Sequence, residues 1–418
     1  LPISLQILNE EKTTNYKYRD VIMKMNSRLS KLGTETAFAV SGDAAAFAAK
    51  GNKMYPFHLG DMDIRTPLNI IEAANNAMLD GKTGYDPAAG VPALREVIAD
   101  HIGSTRGVSY GIENVAVQPG GKPVIGKFLN AVLNPGDGAL YPNPGYPIYE
   151  SQINFLGGIT QPYGYITTDS GFKIDREQVE SQLTKDTRIF IYNNFQNPIC
   201  AESDQDEMEW VAELALKYDL WVLSDEAYFN IRYSGKSTSI VSLPGMKERT
   251  IILHTFSKTY AMTGWRLGAA IGPKEVIDVI AKLNVNDESC TNHFIQYAGI
   301  EAITGNQDGA QMILHTLKER RDVLLDEFKK INGLTISKPN TTFYVFPDIT
   351  EIYERMEFNS LEEFRLTTLR KTGVSFCTRE HFGSTLPGET RKFIRFAYSG
   401  ISTELIREGI GRLINYWE

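Results

Sequence analysis

Lys258 lies in the stretch HTFSKTYAMTGWRLG, between His254 and Gly268. Two hydroxyls, Thr255 and Ser257, precede it, and Arg266 follows eight positions later. The stretch runs directly out of the apolar segment TIILHT, so it stands where a strand ends and a ligand would sit. Two hydroxyls and a fixed guanidinium are a good set for a phosphate. A lysine in such a place reads in two ways. It is a solvated loop residue, or it is a neutral amine that attacks an aldehyde.

An aldehyde that also carries a phosphate is pyridoxal 5′-phosphate, whose ring nitrogen needs a carboxylate partner. Asp225, closing the apolar run LWVLSDEAY, is placed for that. Taken alone it is equally a helix cap or a solvated acid. Tyr228, three residues on, reaches for the ring's phenolic oxygen. Asn197 closes another apolar run in NNFQNPIC, where an Asn-Pro turn is the plainer reading. Arg395 sits inside the apolar FIRFAYSG, and a buried guanidinium needs an anion. An internal salt bridge and a substrate carboxylate both satisfy that need. The turn PGGK, with Gly121 and Lys122 at a helix start, presents backbone N–H groups to a single phosphate. The overlapping GKPVIGK is not a nucleotide triphosphate loop. Phe128 stands where Ser or Thr would hold magnesium, and the pattern's second half falls inside a helix.

These residues need a frame that brings strand ends together. From about residue 60 to 300, short apolar runs alternate with longer amphipathic ones. NVAVQ, DGALY, TRIFIY, LWVLSD and TIILHT read as strands, each ending in polar residues. PVIGKFLNAVL and QDEMEWVAELALKY read as helices. The alternation predicts an α/β fold with a mostly parallel sheet covered by helices. Beyond about 310 the pattern changes to a long charged helix, short strands and a closing helix, a smaller α+β domain. The expected division is an N-terminal arm over 1–55 that also completes the small domain, a large domain over 56–310 and a small domain over 311–418.

The totals agree with this reading. The chain has 418 residues, 42% hydrophobic and 22% charged, enough for more than one domain and a large core. The net charge of −8 gives no overall basic field for nucleic acid or anionic lipid. Three cysteines, Cys200, Cys290 and Cys377, form no close pair and no metal-ligand spacing. A reducing, cytoplasmic setting is expected, with no metal and no membrane span.

Taken together, the stretches resemble the class I/II aminotransferase family of fold-type I pyridoxal-phosphate enzymes, from about Leu32 to the end. SKTYAMTGWRLG is the most specific of them, and Asn197, Asp225, Tyr228, Lys258, Arg266 and Arg395 follow in the family's order. The resemblance implies a seven-stranded-type large sheet with helices on both faces. It implies that Lys258 holds pyridoxal 5′-phosphate as a Schiff base and shuttles the proton. Asp225 would pair with the ring nitrogen, and Tyr228 and Asn197 with the ring oxygen. Thr255, Ser257, Arg266 and the backbone of Gly121 and Lys122 would hold the phosphate. Tyr146, in NPGYPIYE, would stack on the ring, and Tyr85, in GKTGYDPAAG, would reach the phosphate of a neighbouring subunit. Arg395 would take the substrate α-carboxylate, with Gly60 of FHLGDMD on the substrate side. A homodimer with sites at the interface is implied as well.

Two departures stand out. NPIC, residues 197–200, replaces the family's NPTG, so Cys200 takes a glycine's place. Either the turn differs, the cavity is reshaped, or the change is harmless. SFCTREHFG, residues 375–383, replaces a Pro-Gly turn, and its Arg379 is either a solvated loop residue or a partner for a substrate's distal carboxylate. No arginine for an acidic substrate can be placed in NVNDESCTNHFIQYAG, so an aspartate preference is not read here. The expected reaction is transfer of an amino group from an L-amino acid to a 2-oxo acid. The alternative is elimination, replacement, cyclisation or oxidation on the same scaffold. A non-catalytic ligand-binding domain is a further alternative, against which every catalytic position is filled and no basic or helix-turn-helix segment precedes the fold.

Overall fold

Alternate residues of the central strands serve two different cores. Val115 and Val117 pack in one cluster and Ala116 in another. Ala269 and Ile271 likewise part from Ala270, and Ile252 from Ile251 and Leu253. Successive side chains of a strand point to opposite faces, so both faces of this sheet are buried. That is why these strands are short continuous apolar runs and not alternating ones.

The computed structural model describes residues 25–33, 36–169 and 171–418. Its main sheet has seven strands. They stand in the order Val115–Gln118, Gly268–Ile271, Thr250–Thr255, Trp221–Asp225, Thr187–Tyr192, Gly138–Pro142 and Ile159–Tyr163. All neighbours are parallel except Gly268–Ile271, which runs antiparallel to both of its partners. This is the expected fold class. Residues 1–24, at the start of the expected arm, lie outside the described residues; the helix Ala37–Ala48 carries its small-residue run.

The covering helices form where the sequence pattern places them. Lys122–Val132 begins with Pro123 in its first turn, where a missing N–H costs nothing. It buries Val124, Ile125, Phe128 and Leu129 along one stripe. Gln205–Lys217 is capped by Asp204, whose carboxylate accepts from Glu207 N at 3.0 Å. Its face of Met208, Val211, Leu214 and Ala215 joins Phe190 and Val222 of the sheet. Burying Met208 and Val211 contributes roughly 1.5–3 kcal/mol each.

A second layer is woven from distant segments. Tyr55–Pro56 pairs in parallel with Val374–Ser375. Ile394–Ala397 runs antiparallel between Tyr344–Val345 and Cys377–Thr378. The helices Asp308–Phe328 and Thr403–Trp417 bury Leu317, Leu324, Phe328, Ile410, Leu413 and Trp417 in one core with these strands. The weave sets Arg395 beside the carboxyl ends of the large sheet's strands. Among the described residues, no helix is long and apolar enough to cross a membrane.

Candidate active site

Strands Thr187–Tyr192, Trp221–Asp225 and Thr250–Thr255 end side by side, and Asn193, just past the first, with Asp225 and Thr255, closing the other two, line one cavity of about 440 Å³. Lys258, Asp225, Tyr228, Asn197, Thr255, Ser257, Arg266, Gly121, Lys122, Tyr146, Arg395 and Gly60 all line it. The structure therefore brings together twelve expected site residues drawn from seven separate stretches.

Asp225 is buried, 6% exposed. Burial raises its pKa, and the Tyr149 hydroxyl works against that by donating to Oδ2 at 2.6 Å. Oδ1 accepts from the Ala227 backbone at 3.1 Å. The carboxylate is thus held by two donors, with the cavity beside it. Lys258 Nζ donates to the Gly60 carbonyl at 2.9 Å and lies 5.2 Å from the centre of the Phe343 ring.

Arg395 is 3% exposed. Its Nη1 donates to Asn197 Oδ1 at 2.9 Å and its Nη2 to the His58 carbonyl at 2.6 Å. The guanidinium lies between the Tyr344 and Phe382 rings, 4.4 and 4.6 Å from their centres. Among the described residues no carboxylate pairs with it, so the internal salt bridge is not what the structure contains. Burial and the nearby Arg395 push the His58 imidazole down to about 4, so it stays neutral and adds no charge.

At the other end of the cavity Arg266 adopts φ 56° and donates to the Thr263 carbonyl at 2.8 Å. Thr255 Oγ1 donates to Ser257 Oγ at 2.9 Å. Gly120 has φ 104°, and a Cβ there would stand 2.3 Å from Arg266 Nη2. A Cβ on Gly121 would stand 2.8 Å from Leu253. Glycines here keep open a cradle between a helix start and a guanidinium, which suits a phosphate. Lys127, the last residue of GKPVIGK, is instead buried in the helix, where it bonds Asn284 at 2.8 Å and pairs with Glu288.

Two expected residues lie elsewhere. Tyr85 is 90% exposed and does not line the cavity. Arg379 also lies outside it, as a correction to both readings of that arginine. It is 2% exposed, with Nε and Nη2 on the two Glu389 oxygens at 2.6 and 2.9 Å and Nη1 on the Gly383 carbonyl at 2.8 Å. An arginine whose fork is closed on a carboxylate ten residues away is neither solvated nor open to a substrate.

The NPIC turn keeps a glycine's geometry. Cys200 has φ 60°, a left-handed conformation that non-glycine residues resist. Its thiol points back to the Tyr344 carbonyl at 3.1 Å and accepts from Thr342 Oγ1 at 3.4 Å. Burial pushes that thiol up to about 12.

Three participants escaped the reading of the sequence. Tyr149 supports Asp225. Asn193 donates to the Asp225 carbonyl at 3.0 Å and accepts from Asn197 N at 3.1 Å, tying two site segments together. Tyr344 shares a 2.7 Å hydrogen bond with the Tyr228 hydroxyl. The doubled Asn of NNFQNP was a visible signal for Asn193; the two tyrosines carry no motif.

Residues 52–413 match the family model described as aminotransferase class I and II. The chain belongs to this family. It is 33% identical over 392 residues to the "Probable aspartate/prephenate aminotransferase" of Aquifex aeolicus, covering 93% of this chain and 97% of the relative. The asparagine–oxo-acid transaminase of Streptococcus mutans is 30% identical over 400 residues, covering 94% and 99%. Among solved structures, the alanine aminotransferase of Pyrococcus furiosus superposes with a TM-score of 0.86 at 28% identity, covering 94% of this chain and 99% of that one. The Thermus thermophilus aspartate aminotransferase with maleate gives the same score, identity and coverage. This aminotransferase therefore shares both sequence and architecture with the family along nearly its whole length.

Proposed function

We propose that this aminotransferase carries pyridoxal 5′-phosphate on Lys258 and transfers an amino group from an L-amino acid to a 2-oxo acid. One observation supports this above the others: a single cavity holds an amine, a buried carboxylate and a glycine-lined basic cradle. Those groups answer the aldehyde, the ring nitrogen and the phosphate of that cofactor in turn. Bound there, the cofactor supplies an electron sink for the pair left when the substrate's Cα–H bond breaks.

The rest is done by the protein's own groups. Asp225 sets a negative charge against the ring nitrogen and keeps it protonated. Asn197 Oδ1 already accepts from Arg395, so its Nδ2 is the end that donates to the ring oxygen, together with Tyr228. Tyr146 offers a ring face. Arg266, Thr255, Ser257 and the N–H groups of Gly121 and Lys122 take the phosphate. Arg395, buried and, among the described residues, without a carboxylate, would receive the substrate's α-carboxylate and so orient the substrate's Cα. Gly60 faces the substrate. Lys258 takes the proton from Cα and returns it at the product side.

Around that site we place a large domain over 56–310 and a small one over 311–418 completed by the arm. Tyr85, exposed in the single chain, goes with a homodimer in which it reaches the partner's phosphate. The free cysteines go with a cytoplasmic setting. Aspartate, named in several relatives, is the first amino donor to assay. The test omits any 2-oxo acid acceptor. The expected result is release of one equivalent of 2-oxo acid per site and then a halt. Continued release of product would move the assignment to elimination chemistry.

A further inference from the structure

Tyr344 touches more of the site than any role described so far requires. It is 2% exposed and lines the cavity. Its hydroxyl meets the Tyr228 hydroxyl at 2.7 Å. Its ring carries the Arg395 guanidinium at 4.4 Å and stands edge-on to Tyr228, with centres 5.6 Å apart. Its backbone is held too: N–H donates to Thr342 Oγ1 at 3.2 Å, and the carbonyl accepts the Cys200 thiol at 3.1 Å. Gly60 has no side chain where Tyr344 needs the room, since a Cβ there would lie 2.1 Å from the Tyr344 hydroxyl oxygen. The same Gly60 accepts from Lys258.

We propose that Tyr344 is a positioning residue that donates its hydroxyl hydrogen to Tyr228 and thereby commits Tyr228's own hydrogen to the cofactor's ring oxygen. This inference rests on the cofactor reading above. A neutral tyrosine has one proton to give and can accept at its oxygen. If Tyr228 gave its proton to Tyr344, it would face the ring oxygen with lone pairs only, which repels the charge there. If Tyr344 gives, the two bonds run in one direction and each strengthens the other. Tyr228 is rigidly packed against Phe343 and Tyr344, so it cannot turn away to find another donor. The arrangement also links the two ends of the substrate site, because the ring that bears Arg395 is the ring whose hydroxyl directs Tyr228.

The readout is the pH midpoint of the bound cofactor's absorbance change, measured in the reconstituted holoenzyme. Weakening the donor to the ring oxygen leaves its charge to hold the neighbouring proton more firmly, so the midpoint rises. For Tyr344→Phe, which keeps the ring under Arg395, the expected rise is roughly 0.5 pH unit. Tyr228→Phe should raise it further, and the double variant should match Tyr228→Phe alone. Gly60→Ala, which crowds the same hydroxyl, gives an independent route to the same upward shift. An unchanged midpoint in Tyr344→Phe overturns the inference, and so does an equal shift with or without Tyr228. A wild-type protein that takes up no pyridoxal 5′-phosphate and shows no such absorbance overturns the cofactor reading itself, which separates the two failures.

Discussion

Arg395 and Asn197 lie 198 positions apart in sequence, yet Nη1 of one donates to Oδ1 of the other at 2.9 Å. The contact joins the second layer to the end of a central strand, and it orients both groups for a ligand between them. Replacing Arg395 by Lys removes the planar fork and its place between two rings. The expected loss is about 3 kcal/mol, near 10²-fold in kcat/KM, carried chiefly by KM. Steady-state kinetics with an amino acid and with an amine lacking the carboxylate check this. The amine should show no comparable loss.

Asp225 illustrates a conflict between stability and function. Burial raises its pKa above the unfolded value, so in the cofactor-free protein the folded state binds its proton more tightly than the unfolded one does. Its contribution to stability is therefore present at low pH and lost as pH rises from the ordinary carboxylate range through the folded pKa. Asp225→Asn removes that loss, and Tyr149 can turn its hydroxyl to the new amide. At neutral pH the cofactor-free variant should be the more stable of the two, while turnover falls by several orders of magnitude. Denaturant titrations at acidic and neutral pH should show the gap opening as pH rises.

Cys200 occupies a conformation suited to glycine while its thiol fills a gap behind Tyr344. Cys200→Gly relieves the strain but loses the contact and loosens the unfolded chain. The two effects should leave stability within about 1 kcal/mol of the parent. Cys200→Val, β-branched at φ 60°, should cost at least about 2 kcal/mol. Equilibrium unfolding of the three proteins decides it.

Arg379 gives the sharpest contrast between an active-site role and a structural one. Removing it takes the guanidinium from Glu389, whose side chain is 20% exposed, and leaves it the Leu386 N–H at 3.2 Å. Arg379→Ala should destabilise the protein by about 3 kcal/mol. The ratio of kcat/KM between acidic and neutral amino donors should stay unchanged. A selective loss for acidic donors would return Arg379 to the substrate.

What the sequence made legible follows from how the site is built. Asp225, Thr255 and Lys258 lie at the ends of apolar runs, so the strand pattern alone set them at the carboxyl ends of a sheet's strands. Arg395 was visible because an arginine inside an apolar run demands an explanation. Tyr149 and Tyr344 were not visible, because their roles arise from packing. Tyr149 is an ordinary buried helix residue until Asp225, 76 positions away, is brought against it. Arg379 misled for the same reason: Glu389 is close in sequence, but only the folded loop closes the fork onto it. The buried pair of Arg106 with Glu226, next to Asp225, shows the pattern again, with partners 120 positions apart.

The most direct measurement is reduction of the cofactor-loaded protein with borohydride, followed by digestion and mass mapping. The reduced pyridoxyl phosphate mass should sit on the peptide that contains Lys258, at one per chain. It should be missing in Lys258→Ala, which should also lack turnover. Label on a different lysine, no label on any, or normal turnover in Lys258→Ala would contradict the account.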